Sequence, residues 1–303
     1  MISLMKEVFT NFFMIHSSGT SFLADRLAAQ GIAPTDWSLH WPGGNTTLLI
    51  DNRHGGTPEQ RYPSIALQAM EMLPAIEQVE YIVPGEHTAL RLHMMGGDVC
   101  FNGLRSLAHW AARRYGYTQL PLECAGSPHR YSATIEGPAE QSVITLQCPQ
   151  GFTQRDDLPF PAVDMGGIIH LVAAQSHWDE HEARQQLQSV LRQCPWLAST
   201  TAAVGLITVV GQRLYPLVHV FATNTTVLQS ACGSGTVAAH LITGQEHWYP
   251  PSGVLFSTTP RENQIHLRAI VRGYSPSAAP EPNHFYYDPV QHRGVAPAAD
   301  SVL

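Results

Sequence analysis

The stretch GGDVCFNGLRSLAHW, residues Gly96–Trp110, places a cysteine between a glycine pair and a segment whose apolar residues have helical spacing. A later stretch, QSACGSGTVAAHL (Gln229–Leu241), repeats this arrangement with Cys232 in the place of Cys100. In both, a glycine-containing turn follows the cysteine and an apolar helical segment follows the turn. We therefore predict two similar halves, each with a cysteine at the start of a helix.

Composition limits the classes of protein to which the chain can belong. With 303 residues, 44% apolar and 14% charged, the chain can bury a core, as one large domain or two of ordinary size. A net charge of −7 and a pI near 6.1 give no reason to bind nucleic acid. No apolar run reaches the ~18 residues of a membrane span, and the start lacks a clean signal-peptide pattern, so we expect a cytoplasmic protein.

Short apolar runs bounded by glycine, proline or polar residues predict more strands than helices. Helical spacing is clearest at 64–73, 104–114, 177–194 and after Cys232. Without regular alternation of strand and helix, the pattern favours an α+β fold over a doubly wound sheet. We expect an N-terminal half at 1–156, a C-terminal half at 157–275, and a Pro/Ala-rich tail at 276–303 with room for one returning strand.

A cysteine at a helix start lies beside unpaired backbone N–H groups and the positive end of the helix dipole. A free thiol has a pKa of about 8.5, so it is mostly protonated at neutral pH. The dipole contributes roughly 0.3–1 kcal/mol, less than the ~1.36 kcal/mol of one pKa unit. Direct N–H contacts to the sulfur are therefore needed as well. The five cysteines include no CxxC pair, which argues against a disulfide framework or a zinc ribbon.

Two equivalent thiols at two equivalent helix starts suggest one carbon atom held between them. One thiolate removes a proton while the opposite thiol delivers another, which inverts the stereocentre. The turns after each cysteine can hold a carboxylate and stabilise developing negative charge, without any cofactor. Cys100 and Cys232 are the predicted catalytic residues, and the predicted substrate-binding residues of the two turns are Asn102, Gly103, Gly233, Ser234, Gly235 and Thr236.

The pieces CFNGLRSLA and ACGSGTVAA resemble the paired cysteine signatures of the diaminopimelate epimerase family and its cofactor-independent amino-acid racemases, including histidine racemases of opine metallophore pathways. MIHSSGTSF resembles the family's N-terminal substrate strand, and VDMGGIIHLV its Gly-Asn-Pro-His segment. The resemblance implies two pseudo-symmetric domains, each a curved, mostly antiparallel sheet or barrel around a central helix. It also adds His16, Thr20 and His170 as candidate substrate contacts.

Departures from the family pattern bear on the substrate. The family's Glu-Arg pair corresponds here to Thr223-Asn224, and its strand Asn to Thr20. The residues that bind the distal ammonium and carboxylate groups of diaminopimelate in that family are therefore absent. We therefore expect histidine or another amino acid without a second zwitterionic centre, with Asn224 as a candidate contact. Diaminopimelate epimerase, an isomerase or dehydratase of another small carboxylic acid, and a carboxylate-binding protein stay open as alternatives.

Other features predict no further ligand. His177 and His181 lie four apart in a polar helix, on a face that we interpret as solvated rather than as a metal site. The expected partner is a small-molecule amino acid, with no cofactor, no metal, no nucleic acid and no membrane. A homodimer is left open.

The two predicted catalytic cysteines should also be sensitive to oxidation. With substrate between them, the sulfurs of Cys100 and Cys232 would be roughly 7 Å apart. We therefore expect an empty site to oxidise to a Cys100–Cys232 disulfide.

Overall fold

A computed structural model describes residues 20–138 and 140–276. Its helices are α1 (Thr20–Ala29), α2 (Tyr62–Met72), α3 (Phe101–Tyr115), α4 (Glu180–Gln193), α5 (Leu197–Thr200) and α6 (Gly233–Thr243). Its strands are β1 (Trp37–Pro42), β2 (Thr47–Asp51), β3 (Gln78–Pro84), β4 (Leu90–Met94), β5 (Gln119–Cys124), β6 (Arg130–Glu136), β7 (Gln141–Pro149), β8 (Thr153–Arg155), β9 (Ala162–Asp164), β10 (Ile168–Ala174), β11 (Ala203–Val210), β12 (Arg213–Val220), β13 (Thr225–Leu228), β14 (His247–Trp248), β15 (Phe256–Arg261) and β16 (Gln264–Tyr274).

Strands β1 to β7 and β16 form a closed barrel, because β16 pairs with β7 on one side and with β1 on the other. Only β2–β3 and β4–β5 are parallel pairs within it. Helix α3 lies inside, and its first eleven residues are buried except for Trp110. The helix begins at Cys100 and ends at Gly116, whose φ of 73° is the left-handed conformation in which glycine is favoured.

The second sheet has the order β13-β12-β11-β10-β9-β8. Successive side chains of β10 point to opposite faces of the sheet, and both faces are buried. Ile168 and Val172 belong to the main core, while Ile169 and Leu171 belong to a second core. Helix α6 packs on the first of these faces and α4 on the second. Like α3, α6 begins at a cysteine and ends at a left-handed glycine, Gly244.

The predicted α+β class is confirmed, as are the four predicted helices. The short apolar runs from which strands are predicted each contain one, at 46–52, 79–83, 88–94, 142–148, 167–174, 204–211 and 217–223. The sheets divide the chain differently from the predicted halves, since β14 to β16 (247–274) join the first sheet. The physical reason is barrel closure: β16 satisfies the backbone groups of both β1 and β7, which would otherwise be exposed edges.

The N-terminal strand expected around MIHSSGTSF is not found in its described part. Thr20 and the residues after it form α1, whose Leu23 and Leu27 are buried at helical spacing. The rest of that motif, with His16, lies outside the described residues, as does the tail from residue 277. No helix among the described residues is long and apolar enough to span a membrane.

Candidate active site

Cys100 is the N-cap residue of α3. Its backbone is extended (φ −130°, ψ 112°), and its sulfur accepts a hydrogen bond from the Gly103 N–H at 3.3 Å. This is the bond that a Ser, Thr, Asp or Asn oxygen usually accepts at a helix start. The residue is 8% exposed. The predicted helix start is therefore confirmed, with one direct N–H contact to the sulfur.

Cys232 has nearly the same environment at the start of α6. Its backbone angles are φ −138° and ψ 111°, and its sulfur accepts from the Gly235 N–H at 3.4 Å. It is 5% exposed. The two cysteines thus share conformation, capping bond and burial, which bears out the likeness that the sequence predicts between the two stretches.

Both cysteines line one pocket of about 490 Å³, a volume that includes the part open to solvent. Its wall combines the starts of α3 and α6 with β3, β12, β13 and the turn after β4. Among the described residues lining it there are carboxylates but no lysine or arginine. The lining side chains beside the cysteines are Glu77, Gln78, Met94, Met95, Asp98, Val99, Asn102, Ile168, Val218, Val220, Thr225, Val227, Gln229 and Ser234, with Gly233.

Asn102 connects the two cysteine turns. Its amide donates to the Ala231 carbonyl at 2.8 Å, and its oxygen accepts from the Gly233 N–H at 3.1 Å, so it brackets Cys232 from both sides. The same oxygen accepts from the buried guanidinium of Arg105 at 2.6 Å. This side chain, predicted to bind substrate, therefore bonds to protein on both of its polar atoms and fixes the relative position of the two helix starts.

The glycines at the third helical position are required by close packing. A Cβ on Gly103 would come within 2.4 Å of Glu80 Oε1, and one on Gly235 within 2.5 Å of Ile207 Cδ1. Thr236, the next residue of α6, is fully buried and donates its hydroxyl to the Cys232 carbonyl. These three predicted binding residues thus shape the turns, and the structure does not place them on the pocket wall.

Ser234 lies on the pocket wall with its hydroxyl 3.6 Å from the Cys232 sulfur. Behind it, His170 Nε2 is 2.8 Å from the same hydroxyl. The imidazole is fully buried, and burial lowers the pKa of His170 to about 3, so the ring is neutral. His170 is therefore near the site as expected, but it contacts Ser234 rather than the pocket.

Two further candidates are not brought to the pocket. Thr20 is the first residue of α1, and Asn224 is exposed in the turn before β13 with a φ of 51°. The turn presents Thr225 to the pocket instead. His16, outside the described residues, has no position here.

Sequence reasoning missed Glu77, Gln78 and Asp98 on the wall and Arg105 behind it. Asp98 lies two residues before Cys100 in the opening stretch, so its proximity to the sulfur was accessible from the sequence. Glu77 and Gln78 carry no such signal, because the parallel pairing of β2 with β3 brings them to the site.

Burial dominates the electrostatics of both sulfurs. It raises the pKa of Cys100 well above that of an ordinary thiol, with the nearby carboxyls of Glu80 and Asp98 acting in the same direction. Burial also raises the pKa of Cys232, but hydrogen bonds from Ser234 and Gly235 oppose it. The helix starts therefore do not by themselves yield thiolates, because desolvation outweighs the single N–H contact at each sulfur.

Burial also raises the pKa values of the carboxyls of Glu77 and Asp98 to about 7 each. Neither has a cationic partner on the pocket wall, among the residues that the structure describes. Within the same residues, no group of three His, Cys, Asp or Glu side chains could hold a metal ion. The pocket can therefore bind a cationic or hydrogen-bond-donating group beside the two cysteines.

Comparison with known proteins gives the family of the chain. Residues 36–247 match the family model described as the histidine racemase CntK N-terminal domain. No curated protein matches the chain significantly.

Solved structures are similar to the chain at low sequence identity. A predicted epimerase from Pseudomonas aeruginosa is 10% identical, with 79% of this chain and 97% of that chain covered and a TM-score of 0.55. A protein of the phenazine biosynthesis PhzF family from Enterococcus faecalis is 13% identical, with 78% and 96% covered and a TM-score of 0.47. With its family match extending over both cysteine motifs, the chain belongs to the histidine racemase CntK N-terminal domain family and is an isomerase of the racemase and epimerase type.

Proposed function

We propose that the protein is a cofactor-independent histidine racemase in which Cys100 and Cys232 exchange protons with opposite faces of the α-carbon. The observation that carries this proposal is the pair of cysteines, each capping its own helix, on the wall of one pocket. The family match supports histidine as the substrate. The D-histidine formed would suit the opine metallophore pathways in which similar racemases act.

The reaction requires only the two thiols. A thiolate on one side takes the α-proton, and the electron pair of the C–H bond moves onto the α-carbon and its carboxylate. The thiol on the opposite side then gives its proton to the other face, so that one proton is taken and one returned. The positive ends of α3 and α6 both meet the pocket, where they stabilise the negative charge of the intermediate.

The charge of the pocket supports a substrate without a second carboxylate. Diaminopimelate carries a second ammonium and carboxylate pair, and the described pocket wall offers that carboxylate no lysine or arginine. Asp98 and Glu77 instead suit the α-ammonium group, and keeping this group protonated makes the α-proton easier to remove. The imidazole side chain of the substrate would lie against the apolar wall formed by Val218, Val220 and Val227.

Wash-in of solvent deuterium at the α-position of a panel of L- and D-amino acids tests the proposal. We expect exchange and racemisation with histidine, and loss of racemisation in Cys100→Ser and in Cys232→Ser. Cys194→Ser is the matched control, because Cys194 lies at the end of α4 in the second core. Absence of α-exchange with every amino acid would refute the racemase. Formation of an alkene would indicate a dehydratase.

A further inference from the structure

We propose that the active site holds its shared proton on Cys100, so that Cys232 is the thiolate whenever one of the two thiols is ionised. The proposal deepens the racemase function above and rests on it. It is carried by the directions of two buried hydrogen-bond chains, one ending at each sulfur.

The first chain begins at the backbone N–H of Ser230, two residues before Cys232. A backbone N–H can only donate, and it donates to Glu77 Oε2 at 2.7 Å. The Asn45 side chain donates its amide to the same oxygen at 2.8 Å. With Glu77 ionised, and so able only to accept, Asn45 directs its nitrogen toward Glu77 and its carbonyl oxygen toward Thr47.

That oxygen determines the direction of the next two bonds. Thr47 donates its only hydroxyl proton to Asn45 Oδ1 at 3.0 Å, so the hydroxyl oxygen accepts from Gln78 Nε2 at 2.7 Å. Gln78 Nε2 also donates to Glu80 Oε1 at 2.8 Å. Both hydrogens of the Gln78 amide are thus used in this arrangement, which leaves its oxygen toward Cys100.

The chain ends at Cys100. Gln78 Oε1 is 3.5 Å from the Cys100 sulfur and can only accept a hydrogen bond, so the sulfur must supply an S–H proton. Asn45, Thr47 and Gln78 are all buried, which leaves no room for solvent to reverse these directions. A thiolate at Cys100 would face the oxygen of an amide dipole and be repelled by it.

The second chain runs from His170 through Ser234 to Cys232. His170 Nδ1 is buried without a hydrogen-bond partner. A proton on Nδ1 would be a buried donor without an acceptor, so the neutral ring carries its proton on Nε2. Nε2 then donates to the Ser234 hydroxyl, which in turn donates to the Cys232 sulfur.

Cys232 consequently accepts two hydrogen bonds, from the Ser234 O–H and from the Gly235 N–H. Bonds of this kind to a charged acceptor are about twice as strong as those between neutral groups. Cys232 is thus placed to bear negative charge, whereas Cys100 is placed to keep a proton. His170 acts through Ser234 and is a positioning residue.

The charged groups around the two sulfurs also favour a thiol at Cys100 and a thiolate at Cys232. Glu80 and Asp98 face Cys100 and raise its pKa beyond the effect of burial, and only the Gly103 N–H opposes them. Cys232 faces Asp98 too, but the guanidinium of Arg105 lowers its pKa, as do Ser234 and Gly235. The order of the two thiol pKa values therefore agrees with the hydrogen bonds.

The positions of the protons determine which enantiomer the resting enzyme can deprotonate. Cys232 takes the α-proton that faces it, and Cys100 gives its own to the opposite face. The enzyme is left with a Cys232 thiol and a Cys100 thiolate, and a proton must return from solvent to Cys100 while Cys232 releases one. The resting form is accordingly ready for the enantiomer whose α-hydrogen points to Cys232.

Two measurements without substrate test the assignment. As the pH is raised, thiolate absorbance near 240 nm should appear first from Cys232, so the earlier of the two rises should be lost in Cys232→Ser and retained in Cys100→Ser. With limiting iodoacetamide, peptide mass spectrometry should find Cys232 modified at least about tenfold faster than Cys100, since only a thiolate reacts. Greater exposure cannot explain that result, because Cys232 is the less exposed of the two.

Variants then test the two chains separately. Ser234→Ala should slow modification of Cys232 by about tenfold, the effect of one hydrogen bond to a charged group, while Gln78→Leu should speed that of Cys100. Ser106→Ala is the matched control, a buried hydroxyl on α3 that bonds to a helix carbonyl. Faster modification of Cys100 in the unaltered protein would overturn the assignment even if racemisation is found, whereas failure of α-exchange would refute the function without changing these reactivities.

Discussion

At the scale of single residues, the site uses a sulfur where helices usually begin with an oxygen. The bond that caps each helix would also stabilise negative charge on the sulfur, so the helix start and the proposed reactive group are one feature. The spacing is visible in the sequence, because the capping bond reaches the residue three positions on, which is Gly103 after Cys100 and Gly235 after Cys232. The two cysteines could therefore be identified from sequence alone.

Replacing Asn102 by leucine should separate the two cysteine turns. The variant leaves the Ala231 carbonyl and the Gly233 N–H without partners, at about 1–3 kcal/mol for each buried group. We expect the free energy of unfolding to fall by about 2–6 kcal/mol in urea titrations, with loss of racemisation. Ser106→Ala, one turn along the same helix, is the control, and a change below about 1 kcal/mol for Asn102→Leu would contradict the bridging role.

Asp98 should make stability depend on pH. Burial raises its pKa from 3.8 to about 7, so the folded protein holds a proton that the unfolded chain releases. This contribution is fully present below about pH 4 and is lost as the pH rises through 7, at up to ~1.4 kcal/mol per pH unit.

Asp98→Asn removes this titration. Relative to the unaltered protein, the variant should gain stability steadily between pH 4 and pH 7, as measured by urea unfolding at each pH. His170 contributes the opposite slope in part of this range, because its pKa is lowered, but it is common to both proteins and cancels in the difference. A difference that does not vary with pH would show that Asp98 titrates normally.

At the scale of elements, close packing around each helix start leaves no room for a side chain at the third position. Gly103→Ala would press a methyl group against Glu80 and Leu92, both buried in the barrel. Overpacking of this kind costs about 1–3 kcal/mol, and we expect that loss in urea unfolding together with reduced activity. Gly151→Ala, where a Cβ meets nothing within 4 Å, should change neither.

The elements also show where sequence reasoning stops. Strand and helix patterns predicted the type of most elements, but not their partners. Glu77 and Gln78 meet Asn45 and Thr47 only because β3 pairs in parallel with β2, a choice that alternation within a strand cannot reveal. In α1, the Leu23 and Leu27 spacing was helical, and the family resemblance suggested a strand in its place.

At the scale of the molecule, both sulfurs open into one pocket and all five cysteines are free thiols. We expect peroxide to inactivate the enzyme by joining Cys100 to Cys232, with activity restored by dithiothreitol. Mass spectrometry of the inactive protein should find these two peptides linked, and the same result in Cys194→Ser. Inactive protein with both thiols still free would rule this out.

Pairing of β16 with β1 and β7 has a consequence for how the protein is made. The barrel that surrounds α3 lacks one strand, β16, until residues Gln264–Tyr274 have left the ribosome. Cys100 therefore cannot reach its final environment while the second half of the chain is still being translated. A nascent chain stopped before Gln264 should accordingly be degraded or held by chaperones, and protease digestion of such stalled chains would reveal an unfinished barrel.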